Sequence, residues 1–192
     1  MHMNTNSLLE MLSSGESFSE ETLDLLLSER IKEDQFLEYK HGDELKKSGA
    51  SREIRKYVSG FANSQGGVYI IGVDDKKFEV TGSIAPGGGD LAEWAARCIN
   101  PIAQYFSPPP RFFTIKHRNG DVLIIAVDRS LNLISVVEDG ETVYYLRFYD
   151  QTLKAPDYLI SDILLSRKVF PYLNIASCKI WDDKLVDTQY KN

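Results

Sequence analysis

Between residues 51 and 75 the hydrophobic period of the chain changes once, and that switch constrains the fold more than any other stretch. Ile54, Tyr57, Val58 and Phe61 recur at helical spacing behind Ser51, which predicts a helix from about Arg52 to Asn63 with that serine as its cap. Gly66-Gly67 ends it with the chemistry of a positive-φ turn. Val68 to Val73 is then apolar without a break and of strand length, closed by Asp74-Asp75.

The flanking segments extend the alternation of helix and strand. Ser19 followed by Glu20, Glu21 and Thr22 reads as a helix start, with Leu23, Leu26 and Leu27 as its apolar face. Phe36 to Lys40 reads as a strand and His41 to Ala50 as a loop. A helix fits Asp90 to Ile99, with Leu91, Trp94, Ala95 and Cys98 on one stripe. Phe112 to Lys116 and Val122 to Asp128 flank Arg118-Asn119-Gly120-Asp121, a hairpin signal. Val143 to Phe148 is a further strand, and Asp157 to Arg167 a final helix. This order describes an α+β domain with a mixed sheet flanked by helices. We expect a flexible leader over 1–18, one domain over 19–170 and a C-terminal extension over 171–192 whose role is not readable.

Charge decides which partners are compatible with this domain. The net charge of −6 argues against a polyanion, but residues 1–38 hold nine acids against two bases, which leaves the remainder at +1. Lys40 to Lys56 carries six bases and three acids, a local basic patch on an acidic protein. No apolar stretch approaches the roughly 20 residues of a membrane span, and the N-terminus lacks a basic-then-apolar signal, so the expectation is a cytoplasmic protein with no membrane partner. Cys98 and Cys178 lack metal-ligand spacing and read as reduced.

Three features of the stretch from Glu33 to Asp75 carry a resemblance: Phe36-Leu37-Glu38-Tyr39-Lys40, then Phe61-Ala62-Asn63-Ser64-Gln65-Gly66-Gly67, then Ile70-Ile71-Gly72-Val73-Asp74-Asp75. In this order, with Tyr144-Tyr145-Leu146-Arg147 and Thr152 following later, they resemble the Schlafen AlbA-like domain over roughly residues 20 to 168. Many prokaryotic members of that family are described as DNA-binding or regulatory domains. The resemblance therefore implies a DNA or RNA partner.

Side-chain alternation puts Glu38 and Lys40 on one strand face and Leu37 and Tyr39 on the other. An ion pair on a partly exposed edge strand, contributing about 0–1 kcal/mol, is the plainest account of the first two. Asp74, at the end of a buried-type strand, could present its carboxylate at the sheet rim, where Glu33, Glu38 and Asp74 would converge. Hard carboxylate oxygens suit Mg²⁺ or Mn²⁺, and the spacing resembles the three-carboxylate catalytic site of the RNA-cleaving Schlafen proteins. Those nucleases resemble two copies of this domain and carry a zinc site. This chain has one copy and no Cys/His cluster, and a homodimer could rebuild the groove.

The leading expectation is a nucleic-acid-binding, regulatory domain that contacts phosphates through Lys40, Lys46, Lys47, Arg52, Lys56 and Arg147. The alternative is a metal-dependent endoribonuclease using Glu33, Glu38 and Asp74. Pro86-Gly87-Gly88-Gly89-Asp90 lacks a P-loop ending and reads as an entry loop capped by Asp90. His2, His41 and His117 show no zinc spacing, and Tyr144, Tyr145 and Tyr149 read as packing before stacking.

Overall fold

The computed structural model describes residues 18–169, so the expectations for 1–17 and 171–192, including Cys178 and His2, lie outside the described residues. The elements in chain order are α1 (Glu20–Ser28), β1 (Leu37–Lys40), a 3-10 turn (Gly42–Lys46), α2 (Ala50–Asn63), β2 (Gly66–Ile71), β3 (Val73–Asp74), β4 (Glu79–Val80) and α3 (Leu91–Ile99). A second 3-10 turn (Asn100–Tyr105), β5 (Arg111–His117), β6 (Gly120–Asp128), β7 (Ser135–Glu138), β8 (Glu141–Phe148), β9 (Gln151–Lys154) and α4 (Asp157–Val169) follow among the described residues. It divides into two compact units, Met1–Ala155 and Pro156–Asn192; α4 belongs to the second, where its first turn is closed by the Leu159 and Ile160 amides donating to Pro156.

The first unit is α+β, as the sequence indicates. A four-stranded sheet runs β1-β2-β6-β5, with β1 parallel to β2 and the other neighbours antiparallel. The parallel pair needs a crossover, and α2 supplies it. On one face, Tyr69, Ile71, Leu123, Ile125 and Val127 pack with Ile54, Val58 and Phe61 of α2, with α3, and with Val136, Val143 and Tyr145 of the second sheet, β7-β8-β9. On the other, Val68, Ile70, Val122, Ile124 and Ala126 pack with Leu37, Tyr39 and with Leu23, Leu26 and Leu27 of α1. Both faces of β2 and β6 are covered, which is why these two strands are apolar without alternation.

Local signals place most boundaries. The Ser19 hydroxyl accepts from the Thr22 amide and Asp90 accepts from the Glu93 amide, each at the start of its helix. Gly66 turns from α2 into β2 at φ +83, and a Cβ there would meet the Val127 carbonyl oxygen at 2.7 Å, so the turn excludes side chains twice over. Two readings are corrected. Helix α2 begins at Ala50 behind Gly49, and the Ser51 hydroxyl faces Cys98 Sγ at 3.2 Å instead of capping the helix. Phe18, assigned to the loose leader, is buried in the α1 core.

Asn63, the last residue of α2, fastens the second sheet to the first unit's core. Its buried side chain donates to the carbonyls of Ile134 (2.8 Å) and Tyr145 (2.9 Å) and accepts from the Ile134 amide (2.7 Å). Beside it the Ser130 amide donates to the Ala62 carbonyl. Asn63→Ala strands three buried backbone groups and is expected to cost at least about 2 kcal/mol, read as a lower urea midpoint at unchanged slope. A loss under about 0.5 kcal/mol would show that the amide is dispensable.

Candidate nucleic-acid interface

Strand β1 is an edge of the sheet, and Glu38 and Lys40 share the face opposite Leu37 and Tyr39, as the alternation requires. The pair is not the exposed ornament that the sequence suggests. Glu38 is buried, with one carboxylate oxygen taken by Lys40 Nζ and the other by Arg147 Nη1. The Arg147 side chain is fully enclosed. Its Nε and Nη2 donate to the Asp34 carbonyl at 3.2 and 2.7 Å, Nη2 donates to the Leu37 carbonyl at 3.0 Å, and Nη1 reaches Thr152 Oγ1 at 3.3 Å. The guanidinium also lies over the Phe61 ring, 5.0 Å from its centroid. Arg147, expected among the phosphate contacts, is thus spent inside the fold, and the burial removes it from the surface where a phosphate could reach it.

The three expected carboxylates fare differently. Glu33 is half-buried and its Oε1 accepts from the Tyr39 amide at 2.8 Å. Burial, and then the Glu38 charge, push its carboxyl above the usual range, and Asp75 adds to the push. Asp74 turns away: its Oδ1 accepts from the Lys76 and Lys77 amides, both at 3.0 Å, and these hold its carboxyl below the usual range, the Lys77 amide most. Among the described residues, Glu33, Glu38 and Asp74 do not form a group with ligand atoms close enough to share an ion.

The described residues do bring one such group together, Glu20, Asp24 and His117, whose ligand atoms lie within 4.8 Å of one another. Sequence reasoning missed it because 93 residues separate Asp24 from His117, although the i, i+4 spacing of the two acids was visible. The His117 ring is buried, Nδ1 accepts from the Asn119 amide at 3.0 Å, and Nε2 meets Asp24 Oδ1 at 3.2 Å. A nitrogen that accepts from a backbone amide leaves the other nitrogen to carry the proton, so the contact acts as a hydrogen bond from β5 to α1.

The remaining predicted bases occupy one stretch of surface. Lys46 and Lys47 are exposed in the turn before α2 and pair with Asp43 and Glu44, each at 2.6 Å. On α2, Arg52 meets Asp139 at 3.6 Å and Lys56 meets Glu53 at 3.5 Å. Lys40, with 28% of its side chain exposed, and Lys56 flank the Tyr57 ring at 5.0 and 5.1 Å from its centroid. Burial works against the Lys40 charge, but the adjoining Glu38 carboxylate outweighs it and holds the ammonium above its ordinary range. Lys40 and Lys47 open on a groove of about 250 Å³ that Glu44 and Glu53 also line. Lys46 and Lys47 line a second groove of about 590 Å³. Of the tyrosines, Tyr145 is buried and donates to Glu138 at 2.7 Å, while Tyr149 is exposed. Among the described residues no helix is long and apolar enough to cross a membrane.

Comparison with known proteins agrees with this geometry at the level of family and fold. The family model described as Schlafen, AlbA_2 matches residues 33–156, which run from the Glu33 carboxylate past the Arg147 strand. Among solved structures, the DIP2311 protein from Corynebacterium diphtheriae has a similar fold, with a TM-score of 0.52 and 17% identity over 85% of this chain. The match spans 31% of that protein's length. No curated protein matches.

The buried pair generates a prediction. Arg147→Met leaves the Glu38 charge enclosed with Lys40 alone and is expected to cost about 3–5 kcal/mol in urea denaturation. Adding Glu38→Gln should recover part of that loss. A double variant no more stable than the single one would refute the coupling.

Proposed function

Since the chain belongs to the Schlafen AlbA_2 family, we propose that it binds nucleic acid through phosphate contacts from Lys46, Lys47, Arg52 and Lys56, with Lys40 at the inner edge, and with little reading of base sequence. One observation carries the reading: these cations follow one another through the turn and along α2, and Lys46, Lys47, Arg52 and Lys56 are each held by one carboxylate at or near the solvent. Such pairs contribute about 0–1 kcal/mol, so a phosphate competes for the cation at small cost. The Lys46 hydrogen bond, more than its charge, keeps the Asp43 carboxyl below the ordinary range. Tyr57, between Lys40 and Lys56, adds an aromatic surface to the cationic one. A domain that grips the backbone without cutting it suits a regulatory role, in DNA or RNA.

Fluorescence anisotropy with a labelled oligonucleotide at several salt concentrations tests this. Binding should weaken as salt rises, and Lys46→Ala with Lys47→Ala should lower the log–log slope by roughly 1 per lysine removed. Binding indifferent to salt, or a slope that the double variant leaves unchanged, would sink the proposal.

Cleavage of RNA is the second reading. It draws on Glu33, Glu38 and Asp74, whose hard carboxylate oxygens are of the kind that Mg²⁺ or Mn²⁺ takes. The residues do not fit an ion as they stand, because both Glu38 oxygens are taken by Lys40 and Arg147 and Asp74 Oδ1 by two amides. We therefore expect labelled structured RNA to survive incubation with the protein and Mn²⁺. Cleavage abolished both by EDTA and by Glu33→Gln would establish the enzyme reading instead.

A further inference from the structure

The larger groove beside the basic turn has a composition that its neighbours lack. It encloses about 590 Å³, within the ~300–1,000 Å³ of small-molecule sites, whereas the groove at Lys40 has less than half that volume. Leu45, Ala85 and Trp94 form its buried apolar wall, and Ile84 stands at its rim with 69% of its surface exposed. Its two charged lining residues are Lys46 and Lys47; their partners Asp43 and Glu44 lie outside the lining, as does every other acid. The first turn of α2 lines the same groove, and no side chain caps it.

A wall that is apolar on one side and cationic on the other selects a ligand with a flat, weakly solvated body and an anionic end. A nucleotide has this form, with a flat base at one end and a phosphate at the other. We infer that this groove seats a single nucleotide unit, phosphate toward Lys46 and Lys47 and base against Ile84. The inference rests on the nucleic-acid reading above and deepens it, since it assigns one unpaired nucleotide a seat of its own beside the phosphate-binding surface. The same chemistry could come from a free mononucleotide or from one residue of a single strand.

Amide and indole NMR shifts of the full chain, titrated with adenosine 5′-monophosphate, test it. The monophosphate should move the amides of Lys46 to Ser51 and the Trp94 indole, and inorganic phosphate should need at least tenfold higher concentration. Ile84→Asp, at an exposed position that leaves the thermal melt unchanged, should weaken the monophosphate at least fivefold. Val137→Asp, a comparably exposed site outside the lining, should not. A 5′-phosphorylated single-stranded hexanucleotide separates the sources: affinity tenfold above the monophosphate at the same resonances points to a strand, and equal affinity to the free nucleotide. Silent groove resonances, a monophosphate that binds Ile84→Asp as well as the parent, or phosphate that binds as tightly as the monophosphate would overturn the inference. The wild-type hexanucleotide anisotropy reports on the wider proposal separately. Salt-sensitive binding there with a silent groove defeats the groove alone, and a shifted groove without any hexanucleotide binding defeats the wider proposal alone.

Discussion

One buried guanidinium ties the second sheet to the edge of the first. Arg147 projects from β8 of the second sheet and reaches the edge of the first, where it meets the Glu38 carboxylate and the carbonyls of Asp34 and Leu37. An isolated charge in this place would be expensive, and only the completeness of its partners makes the burial tolerable. Thr152 from β9 and the Phe61 ring from α2 close the remaining sides. Asn63, two residues beyond Phe61, repeats the arrangement with neutral groups, using both ends of one amide to hold Ile134 and Tyr145. Charge and amide together turn an edge strand, a helix end and a separate three-stranded sheet into one core.

The residues that carry the resemblance are largely these joints. Glu38, Phe61, Asn63, Gly66 and Arg147 stand in the quoted motifs, and each has a structural duty in this fold. Functional specificity is therefore to be sought beside the motifs, in the exposed turn of Lys46 and Lys47 and along the outward face of α2. This separation explains how the fold can be recognised from a short pattern while the partner cannot.

Sequence reasoning succeeded where a single local interaction decides the outcome. Ser19 and Asp90 cap helices because their own next turn supplies the amides, Gly66 answers a backbone demand, and the Asn-Gly signal fixes the β5–β6 hairpin. The α2 start was misplaced because Ser51 found a partner in Cys98, 47 residues away. Strands β7 and β9, Ser-Val-Val-Glu and Gln-Thr-Leu-Lys, are too short and too polar to announce themselves and exist because β8 lies between them. The site was legible in part. The exposed lysines follow from composition, whereas the duty of Arg147 and the gathering of Glu20, Asp24 and His117 depend on partners that no local spacing encodes.

The distance along the chain between Glu38 and Arg147 has a consequence for assembly. These two residues are 109 positions apart, and closing so long a loop carries an entropy penalty that must be met before their attraction returns anything. The bond therefore rewards a chain whose two sheets have already met and does little to bring them together. In the folded chain Glu38 thus joins one cation two positions away, Lys40, to one that only the finished fold can supply.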